Sequence, residues 1–392
     1  MRVLFLSYYF EPDLCAGSFR NTPLFQEIRS RLGMNDYIHV ITTQPNRYDT
    51  FKVFGQTKEY GENYVIDRIA VPEHKGSMLA QARSFFVFYR KAINRVEHEN
   101  FDLVYASSSR LFTAFLGKRI ASLKQCPLYL DIRDIFVDTM KDVFKNKIIF
   151  QIPVVVFAKI IERYTFSNAT HINLVSEGFK EYFRTYNRPS YSFFTNGIDN
   201  VFLMTKSYTR DIGQYPLIIT YAGNIGSGQG LEKIIPFAAQ KLGDNYFFRL
   251  IGDGGTKQLL QQKLDELQVK NVELLNPVSR KELLEYYNQS TFLFLHLNDL
   301  NAFKKVLPSK LFEYGALNKP IIAGVTGYAA QFIRENLSNY ILFNPTDIDG
   351  FVNQMKKYNL SFEERINFKR KYSRENIIKE MADSILNICN SN

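Results

Sequence analysis

The 392-residue sequence contains no tryptophan and only three cysteines, Cys15, Cys126 and Cys389, which are far apart and odd in number. They supply neither a disulfide framework nor a metal-binding spacing, and fit a reducing compartment. Histidine is also scarce: the five residues, at positions 39, 74, 98, 171 and 296, form no HxxH or HExxH pair, which argues against a protein-held catalytic metal. The longest apolar run, Ile148 to Ile161, is about 14 residues, contains Gln151 and Pro153, and is too short to span a bilayer. The opening MRVLFLSYYFEP lacks the extended apolar core and small-residue cleavage site of a signal peptide and reads as a strand. With 45% hydrophobic and 22% charged residues and no low-complexity tract, the composition is that of a globular chain.

Net charge is +10, and the excess sits in the first half: residues 1–196 hold 26 Lys and Arg against 19 Asp and Glu, the remainder 23 against 20. A basic surface can serve nucleic acid, anionic lipid or a phosphorylated substrate. Nothing forms an RNP motif or a recognition helix, so nucleic acid is not an expected partner.

The length suits two domains. Apolar runs at Val3–Tyr8, His39–Thr43, Tyr64–Val71, Leu103–Ser107, Leu128–Ile132 and His171–Val175 read as strands. Helical patterns alternate with them at about 18–32, 79–100, 112–123 and 136–167. Periodicity lapses around Phe193–Asn200, where Asn196-Gly197 is a turn signal, and restarts with a strand at Leu217–Ala222. Further strands follow at Tyr246–Ile251, Val272–Leu275, Thr291–Leu297 and Pro320–Ala323, separated by helices at 231–242, 256–268, 280–289 and 309–317. The expected class is α/β: two Rossmann-like parallel-sheet domains at 1–198 and 199–372, facing across a cleft, with a helix at 373–392 packing back on the first.

Five segments point to chemistry. In Leu307–Gly324, Pro308 and Ser309 are read as stopping a loop and capping a helix whose free amides bind phosphate; Lys310 adds a charge, and Glu313 lies one turn on, within reach of ribose hydroxyls. An ordinary capped helix is the competing reading. Tyr221–Leu231 is a strand running into a loop with four glycines, neither a Walker loop nor a clean dinucleotide fingerprint. Ile251–Gly255 is another glycine loop, beginning at Gly252. Glu11, Gly17 and Arg20 occupy the first strand–helix connection. In Leu130–Phe136, Asp131 or Asp134 is a candidate general base for a sugar hydroxyl, or equally an ion-pair partner of Arg133.

Taken in order, these segments resemble the retaining family-4 glycosyltransferases of the GT-B fold, over nearly the whole chain. The likeness is to bacterial O-antigen and capsule enzymes carrying YAGNIG-x-x-QG and PSK-x-FEY, including the L-fucosamine transferase group; here the two motifs are about 80 residues apart. The resemblance implies a UDP-sugar donor in the second domain and no resident cofactor or metal. Ser309 and Lys310 would face the diphosphate, Glu313 the ribose, and Pro277 and Val278 the base; Gly17 would approach the donor phosphate from the first domain, and Arg20, Gly252 and Leu311 complete the donor-binding set. Two departures stand out. Lys305 occupies the place of the family's first Glu, and Asn224 and Gln229 replace its Arg and Lys. Phosphate neutralisation then shifts to Lys310, with Lys305, and the sugar is expected to be deoxy or acetamido. The acceptor implied is a glycan, or one linked to polyprenyl diphosphate.

Leu79, Ala82, Phe86, Tyr89, Ile93 and Val96 recur at helical spacing, flanked by Arg83, Arg90, Lys91 and Arg95, with Phe85 and Phe88 adjacent. Such a helix either lies on an anionic membrane or is plain core packing. With Phe144–Phe157 it supports a peripheral place on the inner face of the plasma membrane. A UDP-sugar 2-epimerase of the same fold is the rival enzyme reading, and a basic nucleic-acid-binding protein the non-enzymatic one.

Overall fold

The computed structural model describes residues 1–13, 15–46, 53–72, 78–108, 111–145, 148–205 and 214–390. The chain divides into two compact units, Met1–Asn196 with Asn376–Asn392, and Gly197–Glu375.

The first unit is built on β1 (Arg2–Ser7), β2 (Tyr37–Thr43), β3 (Lys58–Gly61), β4 (Tyr64–Ile69), β5 (Leu103–Ser108), β6 (Leu128–Ile132), β7 (His171–Leu174) and β8 (Ser190–Ser192). They form one sheet in the order β3-β4-β2-β1-β5-β6-β7-β8. Every neighbouring pair is parallel except β3–β4. β1 and β5 are apolar without alternation because helices cover both faces of a parallel sheet. The crossovers are α1 (Ala16–Ser30), α2 (Met78–Arg95), α3 (Leu111–Lys124), α4 (Phe136–Val143) and α5 (Ile148–Phe166). Leu24, Phe25 and Ile28 of α1 share a core with Ile378, Met381 and Ile385 of the C-terminal helix. Right-handed crossovers put α2, α3 and α5 on the opposite face. There Phe115 of α3 touches Tyr89 of α2 and Tyr164 of α5.

The second unit holds β9 (Leu217–Ala222), β10 (Tyr246–Ile251), β11 (Val272–Leu275), β12 (Phe292–His296), β13 (Ile321–Gly324) and β14 (Tyr340–Phe343). They are all parallel, in the order β11-β10-β9-β12-β13-β14. The order reverses between β9 and β12. In doubly wound sheets, ligands bind outside the carboxyl ends of the strands at such a reversal.

The α/β alternation is as the sequence predicts; several details differ. The insertion after β2 contains β3, a hairpin partner of β4. The region 136–167 is two helices, α4 and α5, and α2 stops at Arg95 rather than near 100. β14, of four residues, and the helices Gly327–Asn336 and Ile348–Lys357 around it give too little period to stand out in the sequence.

Candidate functional site

At the reversal point of the second unit, the loops after β9, β10 and β11 continue the parallel ladder. Gly223 N–H donates to the Ile251 carbonyl at 2.8 Å, Gly252 N–H to Leu275 at 3.0 Å, and Ile225 N–H to Asp253 at 2.8 Å. A Cβ on Gly252 would lie 1.8 Å from the Gly223 carbonyl oxygen, so this glycine serves the stacking of one loop on the next. Its φ of +147° is also one that side chains rarely adopt. The Lys257 ammonium ties the stack together by donating to the carbonyls of Gly252 at 2.8 Å and Leu275 at 3.1 Å.

Beyond Gly223, the chain turns through Gly226, Ser227 and Gly228. The amides of these three residues have no acceptor among the described residues. Across the turn Asn224 Nδ2 donates to Gln229 Oε1 at 2.8 Å. The stretch after β12 clamps the turn from the side. Asn298 donates its amide N–H to Gly228 at 2.8 Å and its Nδ2 to Ser227 at 2.9 Å, and accepts from Lys233 at 3.1 Å. Buried His296 bridges two loops: the Thr346 amide donates to Nε2 at 3.1 Å, so Nδ1 carries the proton and donates to the Gln229 carbonyl at 2.5 Å. Burial pushes its pKa down to about 4, keeping it neutral. Asn298, Lys257 and His296 escape a motif search because single polar residues on apolar strands and in loops carry no spacing signal.

The PSK-x-FEY segment differs from expectation. Its helix is only Lys310–Gly315. Ser309 is already helical, at φ −59° and ψ −27°, and makes no side-chain cap. Leu311 and Phe312 N–H groups donate back to Pro308 and Ser309, so this short helix is not the row of free amides read from the sequence. Leu311 is fully buried core. Lys310 reaches over the neighbouring loop: its Nζ lies 5.2 Å from the Tyr221 ring centroid and 2.2 Å from where a Gly223 Cβ would sit. Gly223 thus makes room for an ammonium, beside the glycine turn. Glu313 Oε1 is 3.9 Å from Arg280, which also pairs with Asp199. Lys305 ends a 3₁₀ turn, Asn301–Lys305, ahead of this segment. Pro277 and Val278 lie between β11 and the helix Arg280–Gln289, whose capping box joins Ser279 and Glu282.

In the first unit the expected base does not fit its placement. Asp131 at the end of β6 is wholly buried and held by Arg20 through Nε at 2.8 Å and Nη2 at 3.0 Å, with Asn173 Nδ2 at 2.7 Å. Burial alone would raise its pKa; the charge and hydrogen bonds of Arg20, with Arg133 and Asn173, hold it below the usual carboxylate range. Arg20 is equally committed, its remaining donors going to the carbonyls of Thr195 at 2.7 Å and Phe194 at 2.8 Å. A buried ion pair with no exposed surface offers neither a base for a hydroxyl nor a phosphate ligand. Its hydrogen-bonded partner is Arg20, 111 positions away; Arg133, two positions on, acts on it through charge. Asp134 is exposed on the loop after β6. Gly17, in the first turn of α1, is buried, and a Cβ added there would lie 3.1 Å from Arg133 Nη1.

On α2 the inward face is Phe85, Phe88 and Ala92, while Leu79 and Phe86 of the predicted stripe are 84% and 58% exposed. Two apolar rows lie side by side on this helix, and periodicity cannot choose between them. Arg83, Arg90 and Lys91 are exposed; Arg90 lies 6.0 Å from the Phe86 ring, and Lys91 donates to the Ala70 carbonyl at 3.3 Å.

Comparison with known proteins bears on the second unit first. Residues 210–375 match the family described as glycosyl transferases group 1. A 101-residue stretch is 31% identical to a protein of Escherichia coli K12 provisionally named as the colanic acid biosynthesis glycosyl transferase WcaI; it spans 26% of this chain and 25% of that relative. Among solved structures, the lipopolysaccharide outer core galactosyltransferase WaaB superposes with a TM-score of 0.61 at 15% identity, covering 99% of each chain. Anabaena HepE in complex with UDP-glucose gives 0.61 at 14% identity over 100% of this chain and 98% of its own. The trehalose-6-phosphate synthase OtsA gives 0.67 at 9% identity over 100% and 99%. Residues 210–375 thus match the glycosyl transferases group 1 family, and the chain has the GT-B fold, with two Rossmann-like parallel-sheet domains.

Proposed function

We propose that this chain transfers a sugar from a UDP-sugar to a growing bacterial surface glycan carried on polyprenyl diphosphate, at the inner face of the plasma membrane. The observation that carries the reading is the turn Gly226–Gly228, whose three amides have no acceptor among the described residues, with the Lys310 ammonium reaching over Gly223 at the start of the same loop. A diphosphate asks for just that set: successive N–H donors and one mobile cation. Glu313 then accepts ribose hydroxyls, and Pro277 and Val278 flank the base. HepE, solved with UDP-glucose, with UDP, and with UDP and glucose, supports a UDP-sugar in a chain of this fold. WaaB and WcaI support a surface-glycan product.

In the proposed step, the bond between the sugar C1 and the diphosphate oxygen breaks, its electron pair leaving with the phosphate. The acceptor hydroxyl oxygen bonds to C1 from the same face, and its proton passes to the departing phosphate oxygen. Configuration is retained and no metal is required. Asn224 and Gln229 contribute hydrogen bonds without charge, so Lys310, with Lys305, carries the cationic stabilisation. A deoxy or acetamido sugar fits a site that has Lys305 where the family it resembles is expected to carry a carboxylate. Asp131 takes no proton in this scheme; Asp134 is the first-unit carboxylate assigned to orient the acceptor.

The test is an assay of the full chain with a panel of UDP-sugars and a polyprenyl-diphosphate sugar, read by mass spectrometry. Transfer of one hexose-type unit with release of UDP is the expected result. Release of free or 2-epimerised sugar without any elongated acceptor would establish the epimerase reading instead.

A further inference from the structure

The helix α5 carries an apolar face that the fold leaves uncovered. Its inner side is Ala158, Ile161, Glu162, Thr165 and Phe166. The outer side presents Ile148, Ile149, Ile152, Val156, Phe157 and Ile160, each more than half exposed. The spacing of four from Ile148 through Ile152, Val156 and Ile160 makes this one stripe along the helix. Monomers seldom leave so continuous an apolar surface without a use. Its margin is basic: Lys159 and Arg163 are exposed beside it, and Tyr164 follows on the same helix, 38% exposed. The helix has a single carboxylate, Glu162, and that one is turned inward.

We propose that this face of α5 seats the chain on an anionic lipid bilayer, with the helix lying along the headgroup boundary. The chemistry is complementary in both parts: apolar side chains meet acyl chains, while Lys159 and Arg163 extend to lipid phosphates. No helix among the described residues is long and apolar enough to cross a membrane, so α5 lies on the surface. A second copy of the chain is the poorer occupant, because joining two such faces adds cations to cations with no exposed carboxylate to pair them. The seat is assigned to α5 rather than to α2, where Leu79 and Phe86 are the only large apolar side chains of the predicted stripe that are more than half exposed, and they lie two turns apart. It is independent of the nucleotide reading, and its test uses no nucleotide.

The absence of tryptophan makes that test direct. Ile149→Trp puts the sole indole on the stripe; Met34→Trp puts it at a fully exposed position elsewhere in the same unit. Each full-length variant is mixed with vesicles of equimolar phosphatidylcholine and phosphatidylglycerol. The indole at 149 is expected to shift to the blue and to be quenched by brominated acyl chains, the one at 34 to do neither. Flotation of Ile152→Ser/Ile160→Ser should fall at least about tenfold, and Lys159→Gln and Arg163→Gln should each cost about fivefold on anionic vesicles. All four positions are exposed, and a thermal melt checks that each variant folds. An unshifted, unquenched indole at 149 overturns the proposal, as does serine-variant flotation equal to the parent. So does a dimer in vesicle-free solution that the serine variant dissolves.

Discussion

At the scale of single residues, the ion pair of Arg20 and Asp131 shows how far a side chain's role depends on what reaches it through the fold. Asp131 sits where a cleft-facing base is expected from sequence, at the carboxyl end of a strand, yet its lone pairs go to Arg20, Asn173 and Tyr105. Asp131→Ala should therefore destabilise the first unit by about 3–5 kcal/mol, because it strands a buried guanidinium. Urea denaturation measures this; a change under about 1 kcal/mol would mean that Arg20 finds water. The sequence shows both residues but not their meeting, since 111 positions separate them and only sheet order brings them together. Lys310 and Glu313 stand out in the sequence because a short motif carries them. The cap expected at Ser309 does not form, because Pro308 and Ser309 already follow a tight turn there.

Elements are where the glycines find their explanation. Gly223, Gly252 and Gly255 look alike in sequence and differ completely in place. Gly252→Ala would push a Cβ to 1.8 Å from backbone at φ +147°, and should cost about 2–4 kcal/mol of second-unit stability. At Gly255 nothing lies within 4 Å of a new Cβ, so Gly255→Ala should stay within about 0.5 kcal/mol. Thermal melts of the two variants side by side test this; equal losses would contradict the stacked-loop account. Sequence reading placed these loops correctly after β9 and β10, because strand–glycine–helix punctuation is strong. It could not separate a glycine that admits a ligand from one that admits a neighbouring loop. The same limit applies to α2, whose aromatic residues offer two adjacent helical rows, only one of which is core.

For the whole molecule, the two units should respond to pH in opposite directions. Glu162 is buried in the first unit, where burial raises its carboxyl from 4.5 to about 7 despite the Tyr182 hydroxyl. A carboxyl raised in the folded state contributes stability that is present below about pH 4.5 and lost as pH rises through 7. Glu162→Gln should therefore stabilise the first unit by about 2–4 kcal/mol at pH 8 and far less at pH 5. His296 is the reverse case. Its pKa falls from 6.5 to about 4, so the second unit keeps this contribution above pH 6.5 and loses it as pH drops through 4. Melting curves at pH 5 and pH 8 for the parent and for Glu162→Gln should show the opposed trends. Fold class was readable at this scale because alternation of strand and helix survives many local ambiguities.

The central claim is that a nucleotide's diphosphate rests on the Gly226–Gly228 turn under the Lys310 ammonium. Calorimetric titration of UDP and of uridine into the parent chain and into Lys310→Ala tests it most directly. The parent should bind UDP far more tightly than uridine, and Lys310→Ala should narrow that gap by about 10- to 100-fold, the worth of a charge-assisted contact, while leaving uridine unchanged. UDP binding in Lys310→Ala as tight as in the parent would place the diphosphate elsewhere and contradict the account.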